Sequence, residues 1–187
     1  MRRSFAILML ATTLALGGCV RVWTKVDQPL QKGPDDEYAV EIPTDWVRFT
    51  LRTDAVMVTR DGPPIQYLEV LRWPFAKAFE KTEKKPPAGV LPQELAGLVE
   101  AELRAHERYA NMRIISIAPA RIDLKPAFRM HVSYRTDRGA EFERVLVGAA
   151  DGERLLLLSY NALKLHYFAR DLPVFEKAVA SYRTVAK

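Results

Sequence analysis

Three histidines and a single cysteine carry most of the reactive potential of this 187-residue chain. Metal binding or proton transfer would require His106, His131 and His166 to converge with carboxylates or a nucleophile. Their separations along the chain are far longer than any short metal-ligand motif. Ser133 and Ser159 fall within strand-like alternation, outside any Gly-x-Ser-x-Gly elbow. Gly62, Gly89, Gly97, Gly139, Gly148 and Gly152 are scattered singly, so no glycine-rich loop is available to cradle a phosphate. Glu141 and Glu143 share one strand face and read as a solvated pair, as does the acidic run Asp35-Asp36-Glu37. Trp46, Tyr67, Trp73 and Phe75 would suit either a ligand groove or ordinary core packing, and core packing is the simpler expectation. No catalytic constellation, metal set or cofactor motif emerges, and a non-enzymatic chain is expected.

The cysteine is different. Met1-Arg2-Arg3 is a basic start, and Phe5 to Leu16 is an uncharged apolar run. At roughly 12 residues the run is too short for a membrane-spanning helix, which needs about 20. A basic flank, a short apolar run and small residues at its end read as a secretory signal peptide. The run closes in Leu16-Gly17-Gly18-Cys19, which resembles the lipobox of bacterial lipoproteins. The resemblance implies that the Cys19 thiol is alkylated with diacylglycerol, that residues 1–18 are removed, and that the new amino terminus is acylated. Leu16 takes the apolar position and Gly18 the small one, while Gly17 is a less usual choice between them. Two or more acyl chains, at about 0.8 kcal/mol per buried methylene, give stable attachment. Membrane lipid is therefore an expected partner through acylated Cys19. In bacteria with two membranes an aspartate after the lipobox cysteine tends to hold the protein at the inner membrane. Val20 stands there instead, which the resemblance reads as outer membrane, facing the periplasm.

Composition bounds the rest. Hydrophobic residues make up 49% and charged residues 27%, an ordinary globular balance. The formal charge of +5 permits contact with anionic head groups or acidic polymers, and no nucleic acid is expected as a partner. With one cysteine no intramolecular disulfide is possible, so the fold must hold by packing. Residues 19–37 lack helical and strand periodicity and read as the lipidated terminus and a tether, with a reach of roughly 60 Å if extended. Residues 38–187 read as one globular domain.

Within that domain, Tyr38–Ile42, Val47–Leu51, Val56–Arg60 and Ile65–Trp73 alternate as short strands. Residues 74–92 form a basic, proline-rich connector, expected to be solvated. Pro92–Tyr109 is an amphipathic helix, with Leu95, Leu98, Val99 and Leu103 on one stripe. Four more strands follow, Ile114–Ala118, Ala127–Arg135, Glu141–Ala149 and Arg154–Ala162, with residues 119–126 as a connector between the first two. Asp151-Gly152 marks a hairpin. Leu155 to Leu158 is too apolar for a strand with one wet face, so it should be central and covered on both sides. A closing helix begins near Asp171, a candidate N-cap. The expected class is α+β, a largely antiparallel twisted sheet with helices packed on both faces.

The order also resembles the PsbP-like fold. A strand leads into Pro43-Thr44-Asp45-Trp46, short strands and a mid-chain helix follow, and a meander ends in a helix containing Phe175-Glu176-Lys177-Ala178-Val179. That fold occurs in extrinsic photosystem proteins, a Ran-binding nuclear transport factor and many envelope lipoproteins. The resemblance implies a binding or assembly-support domain and carries over no functional residues. The expected function is thus a membrane-anchored envelope lipoprotein that binds an unidentified envelope protein. The alternatives are a carrier of a small apolar ligand or lipid and, more remotely, a hydrolase using one of the histidines.

Overall fold

The computed structural model describes residues 22–109 and 111–185. The strands are β1 (Trp23–Lys25), β2 (Leu30–Lys32), β3 (Tyr38–Glu41), β4 (Val47–Phe49), β5 (Ala55–Thr59) and β6 (Gln66–Pro74). Helices α1 (Phe75–Ala78) and α2 (Pro92–Arg104) follow, then β7 (Arg113–Ile122), β8 (Lys125–Arg135), β9 (Glu141–Asp151) and β10 (Arg154–Leu163). Helix α3 (Ala169–Ser181) and β11 (Arg183–Thr184) close the described chain. Eight strands form one sheet in the order β1-β4-β5-β6-β10-β9-β8-β7, and β11-β3-β2 form a second, smaller sheet. All pairings are antiparallel.

The apolar run in β10 decides the layering. Strand side chains alternate between faces, so a strand apolar at consecutive positions must be covered twice. Leu156, Leu158, Tyr160 and Ala162 pack with Phe175 and Ala178 of α3 and with Tyr38 and Val40 of the small sheet. Leu155 and Leu157 pack on the opposite face with Leu95, Val99 and Leu103 of α2. The expected α+β class with helices on both faces is the observed one, with the small sheet sharing the α3 layer. Strand β10 joins two local meanders. On one side it pairs with β9, and on the other with β6, from Arg154 opposite Pro74 to Ala162 opposite Gln66.

Several boundaries differ from expectation. Residues 22–37 are not a free tether but part of the folded body. Trp23 pairs with Phe49, Val26 is 1% exposed and its amide donates to the Trp46 carbonyl at 2.9 Å, and β2 pairs with β3. Gly33 lies under the Tyr38 ring, where a Cβ would sit 2.3 Å from ring carbon, so only glycine fits. Glu37, read as part of a solvated run, instead accepts hydrogen bonds from Arg72 at 3.0 Å and Arg154 at 2.7 Å. Strands of three residues are too short to show period-two alternation, which is why this segment reads as a tether.

The connector expected at 119–126 is strand throughout, turning only at Asp123 and Leu124 with φ of 47° and 64°. Two left-handed residues make the primed turn that suits strand twist. Pro119 is tolerated because β7 is an edge strand. The hairpin at residue 152 occurs as expected, with Gly152 at φ 60°. Helix α3 begins at Ala169, two residues before the expected cap. Asp171 is instead a buried acceptor for Arg60 at 3.3 Å, Gln66 at 3.4 Å and Arg170 at 3.0 Å.

Candidate functional site

Two strands carry a charge on a face that is otherwise apolar. In β9 the face runs Phe142, Arg144, Leu146, and in β6 it runs Tyr67, Glu69, Leu71. Strand β10 lies between them and sets Arg144 opposite Asn161, Asn161 opposite Tyr67, and Ser159 opposite Glu69. The register therefore gathers Arg144, Ser159, Asn161 and Glu69 on the α2 side of the sheet.

Their contacts form a continuous network. Arg144 Nη1 donates to the Tyr109 hydroxyl at 2.6 Å and Nη2 donates to Ser159 Oγ at 2.9 Å. Nη2 also lies 3.7 Å from Glu69 Oε2, with side-chain exposures of 8% for the arginine and 10% for the glutamate. The other Glu69 oxygen accepts from Arg52, which turns to Asp54 at 3.2 Å, and Asp54 in turn meets Lys77 at 2.5 Å. Tyr134 donates to Asn161 Oδ1 at 2.8 Å and stands edge-on to Tyr109 with centroids 4.8 Å apart. Arg144 Nε has no hydrogen-bond partner among the described residues.

Electrostatics keep this floor charged. Burial works against the Arg144 cation, but Tyr109, Tyr67 and Glu69 outweigh it and hold the guanidinium above its ordinary range. Burial pushes the Tyr134 phenol up to about 12 and raises that of Tyr67 as well, so both hydroxyls stay neutral donors.

Above the floor is a cleft of about 1470 Å³. Helix α2 stops at Arg104, and a 3-10 turn at Glu107–Tyr109 continues the chain across the sheet, delivering Arg108 and Tyr109 to the cleft. Opposite stand Tyr67 and Trp73, the latter with Arg52 and Lys77 over its ring at 5.2 and 4.5 Å. Glu102 ties the next wall. It accepts from the backbone amides of Lys81 and Thr82, both at 2.9 Å, and from the Thr82 hydroxyl at 2.7 Å. Burial raises the Glu102 pKa, but these donors prevail and hold it below its usual value.

Among the described residues of the cleft, Ser159 has no base beside it. The Ser159 hydroxyl is 1% exposed and receives a proton donor from Arg144, not a base. The cleft floor carries Arg144 and Arg52 with Glu69 between them, below aromatic walls.

No protein-family model matches the sequence, and no curated protein matches it either. Solved structures do match. The cyanobacterial PsbP protein CyanoP of Synechocystis superposes with a TM-score of 0.57 at 10% identity, covering 90% of this chain and 96% of its own. The Saccharomyces cerevisiae Ran-binding protein Mog1p gives 0.54 at 6% identity, over 84% of this chain and 96% of its own. A Bacteroides thetaiotaomicron protein gives 0.53 at 10% identity over 86% of this chain, which spans 49% of that protein's length. The fold is PsbP/Mog1-like.

On this PsbP/Mog1-like frame the other candidate residues are dispersed. His106 sits at the cleft rim, 3.7 Å from Glu102. His131 faces the opposite side of the sheet, stacked on Phe168 at 5.1 Å, with Nε2 2.8 Å from Glu143. Glu143 is thus a partly buried partner of His131 and not a solvated acid, with a side chain 14% exposed. Glu141 pairs instead with Arg135. His166 occupies the irregular turn Lys164–Phe168, edge-on to Tyr167. The three histidines therefore do not meet, and no group of three metal-ligating side chains occurs among the described residues. The aromatic set divides, with Trp46 in the core on the α3 side, Tyr67 and Trp73 in the cleft, and Phe75 against Phe79. Cys19, Leu16, Gly17, Gly18 and Val20 lie outside the described residues. Sequence reasoning passed over Arg144, Glu69, Arg108, Tyr109 and Tyr134. A charge on the apolar alternation of two strands was the available sign for the first two.

Proposed function

We propose that the chain is a lipid-anchored, non-enzymatic binding domain of the cell envelope whose cleft above Arg144 captures an envelope protein. The observation that carries this is the Arg144–Glu69–Arg52 ion-pair network at the floor of an open, tyrosine-walled cleft. Its volume of about 1470 Å³ exceeds the roughly 300–1,000 Å³ typical of small-molecule sites. A segment of a partner chain carrying a carboxylate fits that breadth and charge. A binding role on the same frame has precedent in the Ran-binding protein Mog1p. An apolar-ligand carrier fits less well, because hydrocarbon filling the cleft would desolvate the exposed charges of Lys81, Arg108 and Arg138 that also line it.

Attachment is through acylated Cys19, and Val20 favours the outer membrane, facing the periplasm, where the organism has two membranes. No described helix is long and apolar enough to cross a membrane. A photo-cross-linkable amino acid placed at Arg108 in living cells tests the reading. One recurrent envelope protein should be trapped from Arg108 and not from Glu41, an exposed position on the small sheet. Equal or absent trapping from both sites would overturn it. In parallel, Cys19→Ser should abolish incorporation of a fatty-acid label into the protein.

A further inference from the structure

An exposed apolar cluster lies where the described chain begins. Leu51 is 54% exposed, and two residues before it in the chain Phe49 sets its ring 4.8 Å from that of Trp23, both partly exposed. Strand β1 is the outermost strand of the large sheet, and the Thr50 amide donates to the Val22 carbonyl at 3.0 Å, fixing Leu51 beside it. Lys25 is exposed on the same face of β1 as Trp23, with no ion pair among the described residues. Aliphatic, indole and ammonium groups together match the chemistry of a bilayer interface, where tryptophan sits at head-group level and lysine meets anionic lipid.

The length of chain before the cluster identifies its occupant. Val22 is the third residue after Cys19. Three trans peptide steps span at most about 11 Å. A domain tethered by 18 loose residues could stand far from the membrane, but one already folded at Val22 cannot.

We propose that Trp23, Phe49 and Leu51 form a membrane-resting patch that seats the domain on the lipid surface. The proposal rests on the anchoring at Cys19 given above. It also orients the cleft. Val47 stands opposite Thr59 and Met57 opposite Glu69, so strand alternation puts Trp23 and Phe49 on the sheet face that carries Arg144. The cleft then opens beside the bilayer, toward partners at the membrane surface.

The test uses the lipidated full protein in vesicles of brominated phosphatidylcholine and phosphatidylglycerol. Bromine quenches only indoles close to the acyl chains. Of the three tryptophans, Trp46 is buried and Trp73 faces the cleft, and both serve as background. Quenching should occur in the wild type and be lost in Trp23→Phe. Leu51→Glu, with an unchanged near-ultraviolet circular dichroism spectrum, should reduce it. Wild-type protein that floats with the vesicles yet is quenched no more than Trp23→Phe would overturn the patch and leave the anchor intact. A Cys19→Ser protein lacking residues 1–18 that floats as well as wild type would overturn the anchor and the proposal with it.

Discussion

Replacing Arg144 by methionine isolates the most consequential buried interaction. The substitution keeps the aliphatic stem and removes the charge. It leaves Glu69, with a side chain 10% exposed, held by Arg52 alone. It also strips donors from Tyr109 and Ser159. Breaking one side of a buried ion pair costs about 3–5 kcal/mol. The surviving contact with Arg52 places the expected loss near the lower end, about 3 kcal/mol. For a chain of this size that lowers the melting temperature by about 6–12 °C, taking about 2–4 °C per kcal/mol. Thermal unfolding followed by circular dichroism on wild type, Arg144→Met, Glu69→Gln and the double variant measures both the loss and the coupling. The double variant should be less destabilised than the sum of the singles by at least about 1 kcal/mol, because it no longer buries an unmatched charge. A melting temperature for Arg144→Met within 2 °C of wild type, or strict additivity, would refute the description of this network as one buried unit (the threshold is roughly the shift expected for ~1 kcal/mol).

Four further outcomes are expected. Gly148→Ala puts a Cβ 2.5 Å from the Phe128 ring and should cost about 1–3 kcal/mol, with Phe128→Leu restoring part of it in thermal melts. Leu124→Gly relieves an exposed left-handed leucine at φ 64° and should raise stability by about 1 kcal/mol in urea titrations. Burial raises the Glu37 pKa, but Arg154 and Arg72 prevail and depress it below its ordinary 4.5. Its contribution is thus complete above that value and lost as pH falls through the lower folded-state value, so wild type should lose its advantage over Glu37→Gln on acidification. Trypsin should spare the bonds after Lys25 and Lys32 in the native protein, as mass spectrometry of the digest would read; rapid cutting there would return residues 22–37 to the status of a tether.

Legibility from sequence tracked the length of the pattern. The four-leucine run of β10 announced a central strand, and α2 showed its stripe, because both repeat over several turns or pleats. Strands β1 and β2 are three residues each and leave no period to read. Pro119 and Pro126 suggested a break, yet an edge position accommodates the first and the turn at Asp123-Leu124 carries no glycine to mark it. The cleft was half visible. Arg144 and Glu69 each interrupt an apolar strand face, but they are 75 positions apart and meet only through the registers of β10 with β6 and β9. Tyr109 lay just past a helix whose end was expected later than it falls, so nothing local pointed it at an arginine.

The seam between β6 and β10 sets an order of events in time. Each meander, β4-β5-β6 and β7-β8-β9-β10, closes from neighbours in the chain, so both halves can form early from local contacts. The seam cannot, because Pro74 must wait for Arg154. A chain emerging amino terminus first therefore holds β6 with one edge open, and Leu68 and Val70 uncovered, until its last hairpin arrives. During that interval the half-finished sheet is a template for pairing with another copy. Of the pairings in the large sheet this seam joins the residues farthest apart in the chain, so its closure is expected to be the slowest of them.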